Sequence, residues 1–219
     1  MKEWYQQTKE ELLEHFHVTE QGLTGEEAGK RLAENGENVL KEGKRKSTLQ
    51  VFIEQFCDLL VVILIIAALI SMVSGNVEST IVIIAVIVLN AILGTVQHAK
   101  AEKSLDSLKS LSSPSAKVMR DGHKIEVPSA QVVPGDILYL EAGDLVVADG
   151  RILENYSLQV NESSLTGEST NVDKSDGLIH DDCALADRAN MVYSSGLVTY
   201  GRAVVLVTAT GMDTEIGKI

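Results

Sequence analysis

Two long aliphatic runs, Leu59–Ser74 and Thr80–Val96, constrain this chain more than any other feature. Sixteen helical residues span about 24 Å, slightly less than a hydrocarbon core of about 30 Å. Flanking residues lengthen each run: Phe52, Phe56 and Cys57 before the first, Glu78 and Ser79 before the second. Aliphatic side chains cover every face rather than one stripe, which favours lipid over a soluble core. The short linker Gly75-Asn76-Val77-Glu78-Ser79 is turn-prone and makes the pair an antiparallel hairpin. Lys41, Lys44, Arg45 and Lys46 precede the first run, and Lys100 and Lys103 follow the second, whereas the linker has no cation. The positive-inside rule therefore puts both ends in the cytoplasm. Asn90 and Gly94 interrupt the second run, and a polar amide at that depth calls for a neighbouring helix. Further membrane helices are expected to supply it.

Around the hairpin the pattern changes. Thr8-Lys9-Glu10-Glu11 and Thr24-Gly25-Glu26-Glu27 fit capping boxes, so Met1–His17 and Gly25–Asn35 read as short helices, the second ended by Gly36. His98–Ser112 keeps a helical rhythm and reads as a stalk continuing the second membrane helix. From Ala116 short strands take over. Lys117–Arg120, Asp121-Gly122 and Lys124–Val127 form a hairpin signature. Ile137–Leu140, Leu145–Val147, Arg151–Glu154, Ser157–Val160, Met191–Ser194 and Arg202–Thr208 follow, with turn residues between them. The expected fold is an α+β membrane protein fragment: a helical segment (1–46), a two-helix transmembrane hairpin and stalk (47–112), and a β-barrel or jelly-roll (113–219).

Composition narrows the chemistry. A net charge of −12 disfavours nucleic acid, whose phosphates need a basic face. The two cysteines, Cys57 and Cys183, form no CxxC pair and read as buried or interfacial thiols. His15 and His17 do not share a helix face, so no metal site is expected. The first 40 residues contain no apolar signal-peptide core. Asn155-Tyr156-Ser157 and Asn161-Glu162-Ser163 match the glycosylation sequon, but a cytoplasmic location makes both matches accidental. No GxxxxGK[ST] or GxGxxG loop is present to cradle a nucleotide. One candidate for chemistry remains, Thr166-Gly167-Glu168-Ser169, a turn able to present one carboxylate. Such a carboxylate can orient and deprotonate water if an electrophile is brought to it.

The order of these features resembles the N-terminal part of the P-type ATPases, most closely the calcium-pump branch of type II. The resemblance rests on Gly22-Leu23-Thr24 through Asn38-Val39-Leu40, Ala101-Glu102-Lys103-Ser104-Leu105, Val133-Pro134-Gly135-Asp136-Ile137 and Ala148-Asp149-Gly150-Arg151. It extends through Glu162-Ser163-Ser164-Leu165-Thr166-Gly167-Glu168-Ser169 to Thr214–Ile219. Val147 and Glu37 stand where that family usually has proline, and Asn161 where it usually has aspartate. The resemblance implies an actuator domain whose loop serves an aspartyl phosphate made elsewhere. Glu168 would position the hydrolytic water, while Thr166, Gly167 and Ser169 would shape the loop. It implies ATP, Mg2+ and a transported cation for the intact pump, with no cofactor bound by these residues. The implied partners are a lipid bilayer and the pump's remaining helices, phosphorylation domain and nucleotide-binding domain. The expected location is a bacterial plasma membrane, with the actuator domain cytoplasmic. Asp-Lys-Thr-Gly is absent, so the chain is expected to be an inactive fragment by itself. Two other readings are a membrane-anchored β-barrel binding module and a small membrane protein whose hairpin oligomerises. Sodium, potassium and magnesium are the alternative cargoes.

Overall fold

The computed structural model describes residues 2–40, 46–111, 114–167 and 170–219. It is α+β, and the chain divides into two compact units, Met1–Lys41 with Ser113–Ile219, and Glu42–Ser112.

In the first unit, seven strands form one antiparallel sheet: β1 (Ser115–Arg120), β2 (His123–Pro128), β3 (Ile137–Glu141), β4 (Asp149–Asn161), β5 (Asn171–Asp173), β6 (Met191–Val192) and β7 (Leu197–Ala209). Their order is β2-β1-β3-β7-β4-β5, with β6 paired to β4 off that path. The sheet is open, with β2 and β5 at its ends, so the described strands do not form the expected closed barrel. Four register shifts against β7 bend β4 without returning β5 to β2. The Asp121-Gly122 turn behaves as its residues demand. Both have positive φ (50° and 72°), the primed geometry that matches strand twist. The segments expected as Arg151–Glu154 and Ser157–Val160 are instead one bulged strand, β4. Leu145–Val147 yields only an isolated bridge from Leu145 to Leu197.

Strict alternation gives the sheet two apolar faces. Leu138, Ile152, Val205 and Val207 enter one buried cluster; their neighbours Ile137, Leu153 and Leu206 enter another. The second cluster receives Leu12 and Phe16 from the α1 region and Ala28 from α2. Helix α1 (Lys9–His15) starts at a complete capping box, with the Glu11 amide donating to Thr8 and the Thr8 amide to Glu11. A 3-10 turn over Trp4–Gln6 replaces the expected first part of that helix. Helix α2 (Gly25–Asn35) is capped by Thr24 and stopped by Gly36 at φ 79°. Gly22, also at positive φ, presses its backbone against β1; a Cβ there would lie 1.9 Å from the Met119 carbonyl oxygen.

The second unit contains α3 (Thr48–Glu54), α4 (Leu59–Val73) and α5 (Val77–Leu111). Helix α5 runs unbroken from its apolar part into the charged stretch beyond His98. Its Val77–Leu105 portion is long and apolar enough to cross a membrane. The first run departs from expectation. The Asp58 carboxylate accepts from the Leu60 amide at 2.9 Å, which starts a new helix and bends the path by 65°. Helix α4 alone therefore reaches only about 22 Å. Leu59, Val73 and Leu89 are at least two-thirds exposed and many neighbouring aliphatics are also exposed, while Val61, Ala68, Ile87 and Ala91 are buried. Cys57 is exposed rather than buried, and Cys183 is half-buried.

Candidate functional site

The candidate loop is an excursion between two paired strands. Asn161 at the end of β4 faces Asn171 at the start of β5, and residues 162–170 run between them. The Asn161 side-chain oxygen accepts from the Ser163 amide at 3.2 Å, starting the single turn α6 (Ser163–Thr166). An aspartate carboxylate would accept the same bond, so the departure at this position leaves the local geometry possible.

Thr166 ends α6, and its hydroxyl donates back to the Glu162 carbonyl at 3.1 Å. Gly167 follows in the left-handed region (φ 77°), and its amide donates to the Ser163 carbonyl. That conformation is one glycine adopts without a Cβ penalty. Ser164 donates to the Ser195 carbonyl, and Leu165 packs against the cluster of Tyr5, Met191 and Tyr193. Of the four expected site residues, Thr166 and Gly167 are thus placed. Glu168 and Ser169 lie outside the described residues.

Beneath the loop is a pair of charges that the sequence reading did not single out. The Lys174 ammonium lies 2.7 and 2.8 Å from the two carboxylate oxygens of Glu162, and both side chains are 1% exposed. Burial pushes the Glu162 carboxyl up and the Lys174 ammonium down, and their mutual attraction opposes both shifts. The Tyr193 amide also donates to Glu162, and its ring lies 5.7 Å from the ammonium. One sequence signal was available: Lys174 is the only Lys or Arg between Arg151 and Arg188.

The same end of the sheet is tied by two other buried polar residues. The Arg151 guanidinium donates to the carbonyls of Ile152, Asn190, Asp176 and Gly177, gathering the 176–190 segment onto β4. Burial lowers its pKa to about 10. Asp149 accepts from the Ser194 amide at 2.8 Å and from the Glu215 amide at 2.7 Å. It thereby anchors α7 (Glu215–Lys218) to the start of β4.

Burial raises the Asp149 carboxyl to about 6, against the two amide donors. The folded state holds this proton more tightly than the unfolded chain, so the group adds stability as pH falls from about 6 towards its ordinary value of 3.8. Relative to Asp149→Asn, the wild-type chain is expected to gain about 2 kcal/mol between pH 7 and pH 4.5. Urea unfolding followed by the fluorescence of Trp4, the single tryptophan, measures this difference. A difference independent of pH would show that Asp149 is ionised at little cost.

Among the described residues, no cluster of three or more His, Cys, Asp or Glu side chains could hold a metal ion. His15 stacks edge-on against Trp4 instead. The arrangement can present a loop to another molecule or domain, but the described residues of the loop hold no electrophile for it to act on.

Comparison with known proteins matches residues 110–219 to the P-type ATPase actuator domain and residues 4–71 to the N-terminus of cation transporters and ATPases. A calcium-transporting ATPase of Listeria monocytogenes is 45% identical over 217 residues, covering 99% of this chain and 25% of the relative. A calcium-transporting ATPase of Lactococcus lactis is 45% identical over 215 residues, 98% of this chain and 24% of the relative. A sodium/potassium exporting P-type ATPase of Schizosaccharomyces pombe is 42% identical over 201 residues, 90% of this chain and 19% of the relative. The chain spans about a quarter of the length of the calcium-transporting relatives.

Proposed function

Because the chain belongs to the P-type ATPase family, we propose that it forms the actuator side of an ATP-driven cation pump, with calcium as the cargo. In that pump the Thr166–Ser169 loop is carried to an aspartyl phosphate formed in another domain. Glu168 orients the attacking water and accepts its proton, while Thr166, Gly167 and Ser169 shape the approach. ATP and Mg2+ act in domains beyond these residues. The observation that carries the reading is the loop's construction: a left-handed Gly167 after one capped turn, on the unit that matches the actuator domain.

The apolar helices fit the same reading. We take α4 and α5 as a transmembrane hairpin, cytoplasmic at both ends, since so much exposed aliphatic surface is untenable in water. Asn90 is exposed within this unit and needs a polar neighbour from further helices of the pump. The 1–46 segment and the 113–219 domain lie on the cytoplasmic side of a bacterial plasma membrane. A rotation of the actuator domain would reach the membrane through α5 as a rigid-body switch.

The cargo assignment leans on the names of the two bacterial relatives. The yeast relative makes sodium or potassium the alternative. The test uses the full-length pump in membrane vesicles, measuring ATP hydrolysis and ion uptake with each cation and with vanadate as inhibitor. Calcium-stimulated, vanadate-sensitive hydrolysis coupled to calcium uptake is expected. Stimulation by sodium or potassium alone would move the cargo, and no phosphoenzyme with any cation would sink the pump reading.

A further inference from the structure

We propose that Glu162 and Lys174 are positioning residues that tie the departing end of the loop to the strand that receives it, for the chemistry of Glu168. This rests on the role given to Glu168 above. Glu162 lies just beyond β4, where the loop departs, and Lys174 just beyond the far end of β5, its amide bonded to Leu158. In sequence Glu168 is six residues from each. The Glu162–Lys174 contact therefore clasps the three-residue ladder between β4 and β5, joining the residue that opens the loop to the one that follows β5.

Stability alone is a poor reason for this pair. Burying two charges costs several kcal/mol of hydration per ion, and a well-packed apolar pair often holds a fold as firmly. An ion pair adds direction: it closes in one geometry and penalises neighbouring ones. The other ties agree with that role. The Lys174 amide donates to the Leu158 carbonyl, and the Asn155 side chain donates to the Lys174 carbonyl at 2.7 Å. The backbone on both sides of the ammonium is thus fixed to β4. On the departing side, Thr166 and Leu165 bond back to the carbonyl of Glu162 itself. A shift at Glu162 would move α6 with it.

The experiment measures two steps in the full-length pump: phosphoenzyme formation from ATP, and its decay after a chase. The variants are Glu162→Gln, Lys174→Met and the two combined, with Glu168→Gln as reference. The decay constant is read only from molecules that have folded and become phosphorylated. Each variant is expected to form phosphoenzyme and to lose it on the order of 10-fold to 100-fold more slowly. The combined variant is expected to stay slow, because it removes the tie without leaving a bare buried charge. Wild-type decay in the single variants, or recovery in the combined one, would overturn the proposal. So would loss of phosphoenzyme formation in all three, since the pair would then hold the fold rather than the loop. If Glu168→Gln itself decays at the wild-type rate, the reading of the loop fails and this inference falls with it. If Glu168→Gln is slow and the pair variants are fast, only this inference fails.

Discussion

Glu168→Gln in the full-length pump is expected to trap the phosphoenzyme, slowing its hydrolysis by on the order of 10²-fold to 10⁴-fold. The substitution keeps the side chain's length and its capacity for hydrogen bonding, so water can still be bound near the phosphoryl group. What it removes is the negative charge and the proton acceptor. In the proposed mechanism phosphorylation by ATP belongs to other domains and should proceed at a normal rate. The phosphoenzyme level at steady state should therefore rise while turnover falls. Acid quenching after a chase with unlabelled ATP reads both quantities in one experiment. Glu168→Asp is a useful companion: it keeps the charge but withdraws it by one methylene, so partial recovery separates basicity from reach. Among the described residues, no atom lies within 4 Å of where a Cβ on the neighbouring Gly167 would sit. Gly167→Ala would thus act through its left-handed backbone alone and not through a clash. Decay of the Glu168→Gln phosphoenzyme at the wild-type rate would remove Glu168 from the chemistry.

Local rules made much of the first unit legible. Asp121-Gly122 dictates a primed turn because both residues tolerate positive φ, and the turn sets the whole β1–β2 register. Thr8 and Glu11 are three residues apart, so the cap they form needs no tertiary information. The misreadings arose where a local signal had two outcomes. Asn155-Tyr156-Ser157 has the composition of a turn, and Ser157 does adopt φ 55°, yet the strand continues by bulging. Phe52, Phe56 and Cys57 read as lengthening the first apolar run, but Asp58 between them and Leu59 is a capping residue and starts a separate helix. The loop motif was visible as residues, but its support was not. Glu162 meets Lys174 only because β5 folds back along β4, and a three-residue strand leaves almost no periodicity to read. The open sheet was hidden for the same reason. Closure depends on which edges meet, which alternation along single strands does not encode.

The second large effect is on stability rather than turnover. Asp136→Ala is expected to cost about 3–5 kcal/mol, the range for removing one partner of a buried ion pair. Asp136 is fully buried at the start of β3, and the Arg120 guanidinium at the end of β1 grips it with two parallel bonds of 2.9 and 2.7 Å. The same carboxylate accepts from the buried Val133 amide at 2.9 Å. Alanine would leave a nearly buried guanidinium without its counter-charge and an amide without its acceptor, and each is costly by itself. Around it, Gly135 turns at φ 92° and donates to the Val207 carbonyl, while the Val207 amide donates to the Asp136 carbonyl. The Asp136 side chain thus ties β1 to the start of β3, while its backbone and that of Gly135 bond to β7. Leu23 bridges to Arg120 next to this tie, so loosening it should also free the helical segment that carries Trp4. Trp4 fluorescence in urea would then report a midpoint well below wild type. Arg120→Ala should be destabilising too, but combining the two should cost less than their sum, because the second change removes the charge that the first left stranded. Additive losses, or a cost for Asp136→Ala below about 1 kcal/mol, would show that solvent rather than the pair satisfies these groups.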